Sequence, residues 1–583
     1  MSLSIINLFK ILDQKSIIRQ LKLIIKLMEL HEENIFKIRS YQTAVNTLER
    51  GEISIEGLGV SELQGINGIG KSIAEVIFSL GTSQTHSVLE DLLAKTPTGI
   101  LEILEIKGLG PKKVKTLWEE LNITSTHELL EACQAGQVAK IKGFGEKTQE
   151  SIIQGLEFKV ANIGKWLYAE VEAAVEQVAD AIKELEVVDQ SVTVGEYSRK
   201  MEIIESVEFL VSTKDRRGVM AALEGIKNLE KDKKSSSPFK WRGMIISPEV
   251  KVDIHFCGEE NFVKEKILRT GSKAHLLYPV EDQKPLIDFL NEGPFQDEKE
   301  AYQKAGLSWI PEELREGFFE FEWAKSGEIP ALLEVKDLKG ILHNHSTYSD
   351  GKHTLRQMAV HCKELGYEYL GISDHSRSAF YAGGLEIEKV EKQFLEIESL
   401  NIELAPFRIF KGIESDILND GSLDYPDEIL TGFDFVVSSI HSPLSMDRKR
   451  ATARLLKAID NPYTTILGHP TGRLLLRREG YPIDHKVVID ACAARQVVIE
   501  INANPWRLDL DWRWVHYALE QGVKLSINPD AHAMEGYADM KYGVMVGRKG
   551  GLTKDMTFNA LSLVEMESYF RGRKDKIKAT LEQ

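Results

Sequence analysis

The sequence predicts a multidomain α/β protein: helical at its N-terminal end, built on a mixed sheet in the middle, and closed by a parallel βα barrel at its C-terminal end. Three observations carry this. Between Gly340 and His532, short β-type segments alternate with helical ones, and nearly all of them stop on an ionisable residue. Upstream, Ser191–Gly195, Val207–Val211 and Val250–Phe256 read as strands of a mixed sheet. Before these, a Gly-x-Gly turn recurs three times at roughly even spacing between helical stretches. A chain of 583 residues is too long for one core, so about three or four domains are expected.

Composition narrows the class. Apolar content of 43% and charged content of 28% are those of a globular protein. A net charge of −16 excludes a uniformly basic nucleic-acid coat but leaves local basic patches open. Cys133, Cys257, Cys362 and Cys492 show no paired spacing, which fits a reduced, cytoplasmic setting and indicates neither a disulfide frame nor a zinc ribbon. Met1 to His31 is rich in Leu and Ile, yet Lys10, Asp13, Lys15 and Arg19 interrupt any signal or membrane-spanning core. A buried N-terminal helix is the expectation.

In order along the chain, apolar spacing over Ile17 to Leu48 predicts two amphipathic helices. The repeats follow as Ile66-Asn-Gly68-Ile-Gly70-Lys71, Ile106-Lys-Gly108-Leu-Gly110-Pro-Lys112-Lys113 and Ile141-Lys-Gly143-Phe-Gly145-Glu-Lys. Glycines in such a turn let the backbone approach a ligand, and amides opening the next helix suit a phosphate. One copy reads as a plain helix connector; three with the same apolar lead favour DNA-backbone contact. A long helix over Ile163 to Leu185 precedes the mixed sheet, in which Lys231 to Ser237 reads as an exposed loop. A turn and helix are expected around Gly271 to His275, and Phe318 to Glu334 reads as a linker.

In the C-terminal part, period-two alternation puts His343 and His345 on one face of a strand end, which is half a metal site. Helical segments Leu355 to Leu365 and Ile387 to Leu400 separate the following strands, as βα units require. Strand C-termini of a parallel barrel converge, giving His343, His345, Asp350, His375, Glu414, His441, His469, Asp530 and His532 a common destination. A lone strand-end His is usually a hydrogen-bonded structural group, and a lone carboxylate a cap or turn; recurrence at almost every strand end outweighs that reading. His353, His361, His485 and His516 fall in helices or loops and read as surface or core.

The order of Gly-x-Gly repeats, mixed sheet, Ile310-Pro-Glu-Glu-Leu-Arg-Glu316 and His343-x-His345 barrel resembles a bacterial family X DNA polymerase carrying a C-terminal PHP (polymerase and histidinol phosphatase) domain. The resemblance implies helix-hairpin-helix repeats in 1–90 and in a fingers-like 91–158, a polymerase-β-like nucleotidyltransferase palm and thumb in 159–317, a linker at 318–334 and a (βα)7 PHP barrel in 335–583. It also implies a monomer acting on DNA, whether primer-template, gapped or 3′-ended, with no membrane partner.

For the barrel, the resemblance implies three divalent ions. One would be held by His343, His345, Glu414 and Asp530; a second by bridging Glu414 with His441 and His469; a third by Asp350, His375 and His532. With no thiolate, the set suits Mn²⁺, Zn²⁺ or Fe²⁺. Such ions polarise a phosphoryl oxygen and activate water, with Glu414 and Asp530 as catalytic groups and Arg473 as a phosphate clamp; a structural ion pair is the other reading of Arg473.

The palm departs from the family pattern. The triphosphate turn reads Gly195-Glu-Tyr-Ser-Arg199, with an acid where the family has Ser, and the Asp-x-Asp strand reads Ser206-Val-Glu208. Asp253 alone stands at a family carboxylate position, and the Schiff-base lysine falls on Val76. These substitutions speak against Mg²⁺ at the polymerase site and for a DNA-holding scaffold. The leading expectation is a DNA repair enzyme acting as a 3′-5′ exonuclease or 3′-end phosphoesterase, with abasic-site cleavage as a related activity. The alternatives are an active gap-filling polymerase with PHP proofreading, a metal-stabilised DNA-binding scaffold, and a small-molecule phosphatase.

Overall fold

In a computed structural model of the chain, residues 14–581 are described apart from 50–54, 56, 84, 107 and 238. The described residues up to Ile163 form one compact unit and those from Gly164 onward a second. Of the helix expected from Met1 to His31, Gln14–Leu30 is described, residues 1–13 lie outside, and Ile35–Glu49 forms its partner. Leu21, Ile24, Leu27 and Met28 are wholly buried, as the apolar spacing requires.

The three repeats share one backbone. Gly68, Gly108 and Gly143 each turn at φ near +90°, where a side chain is strained. Each second glycine precedes a helix: Lys71–Ser83, Pro111–Leu121 and Glu146–Ala161. A Cβ on Gly70, Gly110 or Gly145 would meet nothing within 4 Å. No internal crowding therefore calls for these second glycines, and the space in front of the helix amides is open.

The second unit begins with Trp166–Leu167 pairing antiparallel with Ile203–Ile204, and with a helix at Tyr168–Lys183, shorter than the 163–185 expected. Its five-stranded sheet runs in the order Gln190–Val194, Ser206–Ser212, Val250–Cys257, Lys240–Ile245, Leu229–Lys231. The last two strands escape sequence reading because Lys-Trp-Arg-Gly-Met-Ile carries Gly243 and charged residues; packing of the fully buried Trp241 holds the strand instead.

The proposed linker 318–334 needs correction. It contains the helix Glu320–Ser326, whose Phe321 and Ala324 are buried beside Phe319 in a core with Tyr302 and Leu314. Buried Glu320 accepts hydrogen bonds from the amides of Gly317 and Phe318 and pairs with His275 at 2.9 Å. Aromatic residues read as linker sequence are thus part of a packed subdomain.

The barrel has seven parallel strands in chain order: Gly340–Ile341, Tyr369–Ile372, Arg408–Asp416, Phe435–Ser439, Ile466–Leu467, Val498–Asn502 and Leu525–Asn528. The seam between first and last strands is narrowed by an Asn344–Ala531 bridge and by Asn559. The Asn559 side chain donates to the carbonyls of Gly340 and Ile527 and accepts from the Ile527 amide. One continuous core runs from the five-stranded sheet into the barrel. Glu202 of the sheet region accepts from Trp512 Nε1 and Arg513, and Glu172 accepts from Lys541 and Tyr542. All four cysteines are free and buried. Among the described residues, no helix is long and apolar enough to cross a membrane.

Candidate metal centre

Period-two alternation stacks the barrel interior in layers. Phe410, Gly412, Glu414 and Asp416 share one face of their strand, as do Phe435, Val437 and Ser439 of the next. At the bottom, Tyr369, Phe410, Phe435, Ile466 and Val498 form an apolar plug with Phe570 of the C-terminal helix. Above it, Gly371 and Gly412 leave room for the Phe435 ring, since a Cβ on either would lie within 2.6 Å of it. The C-terminal end then carries the donors.

Glu414 is the hub. Its carboxylate lies 3.4 Å from His343, 3.7 Å from His345, 2.9 Å from His375, 3.1 Å from His441 and 3.0 Å from His469. Asp530 lies 3.0 Å from His345 and 3.6 Å from His343, while Asp350 lies 3.3 Å from His532 and 3.6 Å from His375. Among the described residues, four overlapping groups have donor atoms within 4.8 Å of one another: His345, Asp350, His375 and His532; His343, His469 and Asp530; His343, His345 and Glu414; His375, Glu414 and His441. All nine expected donors are brought together. Two sit on left-handed backbone, His469 at φ +21° and Asp530 at φ +52°, a conformation that costs about 1–3 kcal/mol and persists only where surroundings enforce it.

The chemistry of this set fits divalent cations. Buried His343 Nε2, His345 Nδ1 and His469 Nδ1 make no hydrogen bond, and His375 Nδ1 and Glu414 Oε2, 2.9 Å apart, are not aligned for one, although an unpaired buried polar atom costs about 1–3 kcal/mol. Burial alone would raise the Glu414 carboxyl, yet the imidazoles of His441, His343 and His375 hold it well below the usual carboxylate range. Burial, with His532 and His375 alongside, pushes His345 down to about 3. Against its burial, Glu414 and Asp416 lift His441 to about 10. Buried carboxylates thus demand positive charge here, which bound cations supply in place of protons.

Three groups that sequence reading missed hold the donors. Glu500, wholly buried, accepts from His343 Nδ1 at 2.6 Å and from the His469 amide at 2.8 Å. Asp416 pairs with His441 Nδ1 and accepts from Ser378 at 2.6 Å. A carboxylate on the second ring nitrogen fixes the tautomer that leaves the first free. The signal was present: Asp416 lies two residues past Glu414, and Glu500 two before Asn502, on inward faces.

The third is Arg507, whose Nε lies 3.4 Å from Asp530 Oδ2. It replaces Arg473, whose guanidinium is spent elsewhere: Nε donates to the Arg507 carbonyl at 2.9 Å, and the other nitrogens bond to Asp511 and the Leu508 carbonyl. The phosphate-clamp expectation for Arg473 is therefore corrected to the structural one. Of the remaining histidines, His361, His485 and His516 stack on Tyr537, Trp514 and Phe319, and His353 accepts from the Met534 amide.

In the five-stranded sheet, Glu208 and Asp253 are neighbours on adjacent parallel strands. Both carboxylates are ion-paired. Glu208 pairs with His255 at 2.9 Å and fills the space over the Gly195 turn, where a Cβ would lie 2.8 Å from it. Asp253 is paired with Lys240 at 2.5 Å and Arg242 at 3.4 Å. Arg199 donates to Glu316 at 2.9 Å and the Thr270 carbonyl at 3.1 Å, and buried Lys549 of the barrel joins Glu316 at 2.5 Å. In the repeats Lys112 is exposed, while Lys113 donates to the Gly108 carbonyl at 3.3 Å.

Comparison with known proteins adds three family matches: a helix-hairpin-helix domain over 13–80, a SAM-like helix-hairpin-helix tandem over 100–157 and a PHP domain over 342–503. The chain is 34% identical over 572 residues to the DNA polymerase/3′-5′ exonuclease PolX of Bacillus subtilis, covering 96% of this chain and 100% of that one. The barrel region is 28% identical over 261 residues to a "probable phosphatase" of a Thermoanaerobacter species, covering 41% of this chain and 98% of that protein.

Proposed function

The chain belongs to the PolX-type family X DNA polymerases, and from that premise we propose that its barrel is a metal-dependent 3′-5′ exonuclease and 3′-end phosphoesterase while its polymerase site is weak or lost. The observation that carries this is a contrast: five imidazoles converge on Glu414 within a nine-donor cluster that leaves buried ring nitrogens without hydrogen bonds, whereas Glu208, Asp253 and Arg199 are each ion-paired to neighbouring side chains.

Three divalent ions, of Mn²⁺, Zn²⁺ or Fe²⁺, would neutralise a phosphodiester and activate water there. The chain's residues do the rest. Glu414 and Asp530 gather the charge of the site, Glu500 and Asp416 fix the rings of His343 and His441, and Arg507 orients a non-bridging phosphate oxygen. In the net reaction, the water oxygen bonds to phosphorus as the P–O3′ bond breaks. The proton goes to the leaving 3′ oxygen, giving a nucleoside 5′-monophosphate and a strand one residue shorter.

The turns of Gly68, Gly108 and Gly143, open in front of Gly70, Gly110 and Gly145, would with Lys71 and Lys112 hold the DNA backbone without reading sequence. We read the protein as cytoplasmic and monomeric. A 5′-labelled single strand incubated with Mn²⁺ tests the activity: a ladder shortening from the 3′ end, abolished by chelation, is expected, and an intact strand at every metal loading would contradict it. The name of the Bacillus subtilis relative, a DNA polymerase/3′-5′ exonuclease, favours a second reading, a working polymerase with a proofreading barrel. Sustained nucleotide incorporation that depends on Asp253 would favour it.

A further inference from the structure

The loop that follows His375 is tied down at its base and open at its tip. Ser376 pairs with Leu385, the Ser376 amide donates to the Glu414 carbonyl at 3.0 Å, and Tyr425 holds the Leu385 carbonyl. Ala379 and Ala382 are buried and Gly383 lies against Ser349, next to Asp350. Between the two alanines, Phe380 and Tyr381 point outward, 85% and 64% exposed, with ring centres 6.2 Å apart and planes at 76°.

Phe380 is left almost wholly in water and Tyr381 largely so, neither ring belongs to a core cluster, and placing them on a fixed turn needs another reason. Their position supplies one: the Tyr381 hydroxyl is close enough to Asp416, Glu414, Asp350 and Arg507 to feel their charges. On a turn that starts from His375 and packs Gly383 against Ser349, Tyr381 thus borders the site where a phosphate would lie, with Phe380 beside it. They are too steeply inclined to sandwich a base between them, so each offers one face.

We propose that Phe380 and Tyr381 form a stacking platform for the unpaired 3′-terminal base of single-stranded DNA, which sets the scissile phosphate between Glu414 and Arg507. This rests on the phosphoesterase reading above. Stacking is open to any base but requires that the base be unpaired, so the platform selects frayed or single-stranded 3′ ends without selecting sequence.

The test uses the full-length protein and its Phe380→Ala/Tyr381→Ala double variant. Substrates are single strands ending 3′ in thymidine or in an abasic tetrahydrofuran residue, and bis-p-nitrophenyl phosphate, which offers no base. The wild type should prefer the thymidine end by about 5- to 150-fold in kcat/KM. The double variant should lose that preference and keep its rate on bis-p-nitrophenyl phosphate. A strand ending in 5-iododeoxyuridine, photocrosslinked in EDTA, should attach to the peptide carrying Phe380 and Tyr381. Undiminished preference in the variant, equal loss on all three substrates, or crosslinking elsewhere would overturn the platform. If the wild type hydrolyses nothing, the phosphoesterase reading falls, and the crosslink alone decides for or against the platform.

Discussion

Glu500 Oε1 lies 2.6 Å from His343 Nδ1, both side chains wholly buried, so the ring presents Nε2 toward Glu414 and Asp530. Replacing Glu500 by Gln keeps the shape but removes the charge that holds this tautomer. Metal affinity is expected to fall by about 10- to 100-fold, read by chelator-competition titration of the stripped protein, with the circular dichroism spectrum unchanged.

Arg473 and Arg507 should separate cleanly. Arg473→Ala leaves Asp511 short of a partner and two carbonyls unpaired, so thermal unfolding should show a loss on the order of 3 kcal/mol. Arg507→Ala should leave the melting temperature nearly unchanged and lower kcat/KM on labelled DNA by about 100-fold.

These two arginines show where sequence reading stops. Strand periodicity located the donors because a βα barrel delivers every strand end to one face, and Glu414 and His441 needed only the period of two. Arg473 follows His469 closely, which suggested a shared site, but a long flexible side chain goes where carbonyls and Asp511 draw it. Glu500 lies two residues before the end of the strand Val498–Asn502, so a search of strand ends alone passes over its inward-facing carboxylate. The Lys240–Ile245 strand and the helix in 318–334 were hidden because Trp241 and Phe321 act through tertiary packing, which local propensity does not report.

In the five-stranded sheet, Asp253 faces Lys240 and Arg242 on a neighbouring strand. If the palm is a scaffold as proposed, Asp253→Ala should leave any primer extension unchanged, measured with Mg²⁺ or Mn²⁺. As this pair is partly exposed, the same change should shift stability by less than about 1 kcal/mol.

Burial pushes the Asp539 carboxyl up to about 6 from an ordinary 3.8, with Lys541 opposing. The folded chain therefore binds this proton more tightly than the unfolded chain. Its stabilising contribution is full below about pH 4 and is lost as pH rises toward 6. Asp539→Asn should remove that dependence and raise the unfolding free energy at pH 7 by up to about 3 kcal/mol, nearer half that given its partial exposure, read by denaturant unfolding across pH.

The most direct measurement follows a 5′-labelled primer-template over time, with and without nucleotides, for the wild type, His343→Ala and Asp253→Ala. The account predicts shortening from the 3′ end that disappears in His343→Ala and persists unchanged in Asp253→Ala. Shortening that survives His343→Ala, or robust lengthening that vanishes in Asp253→Ala, would contradict it.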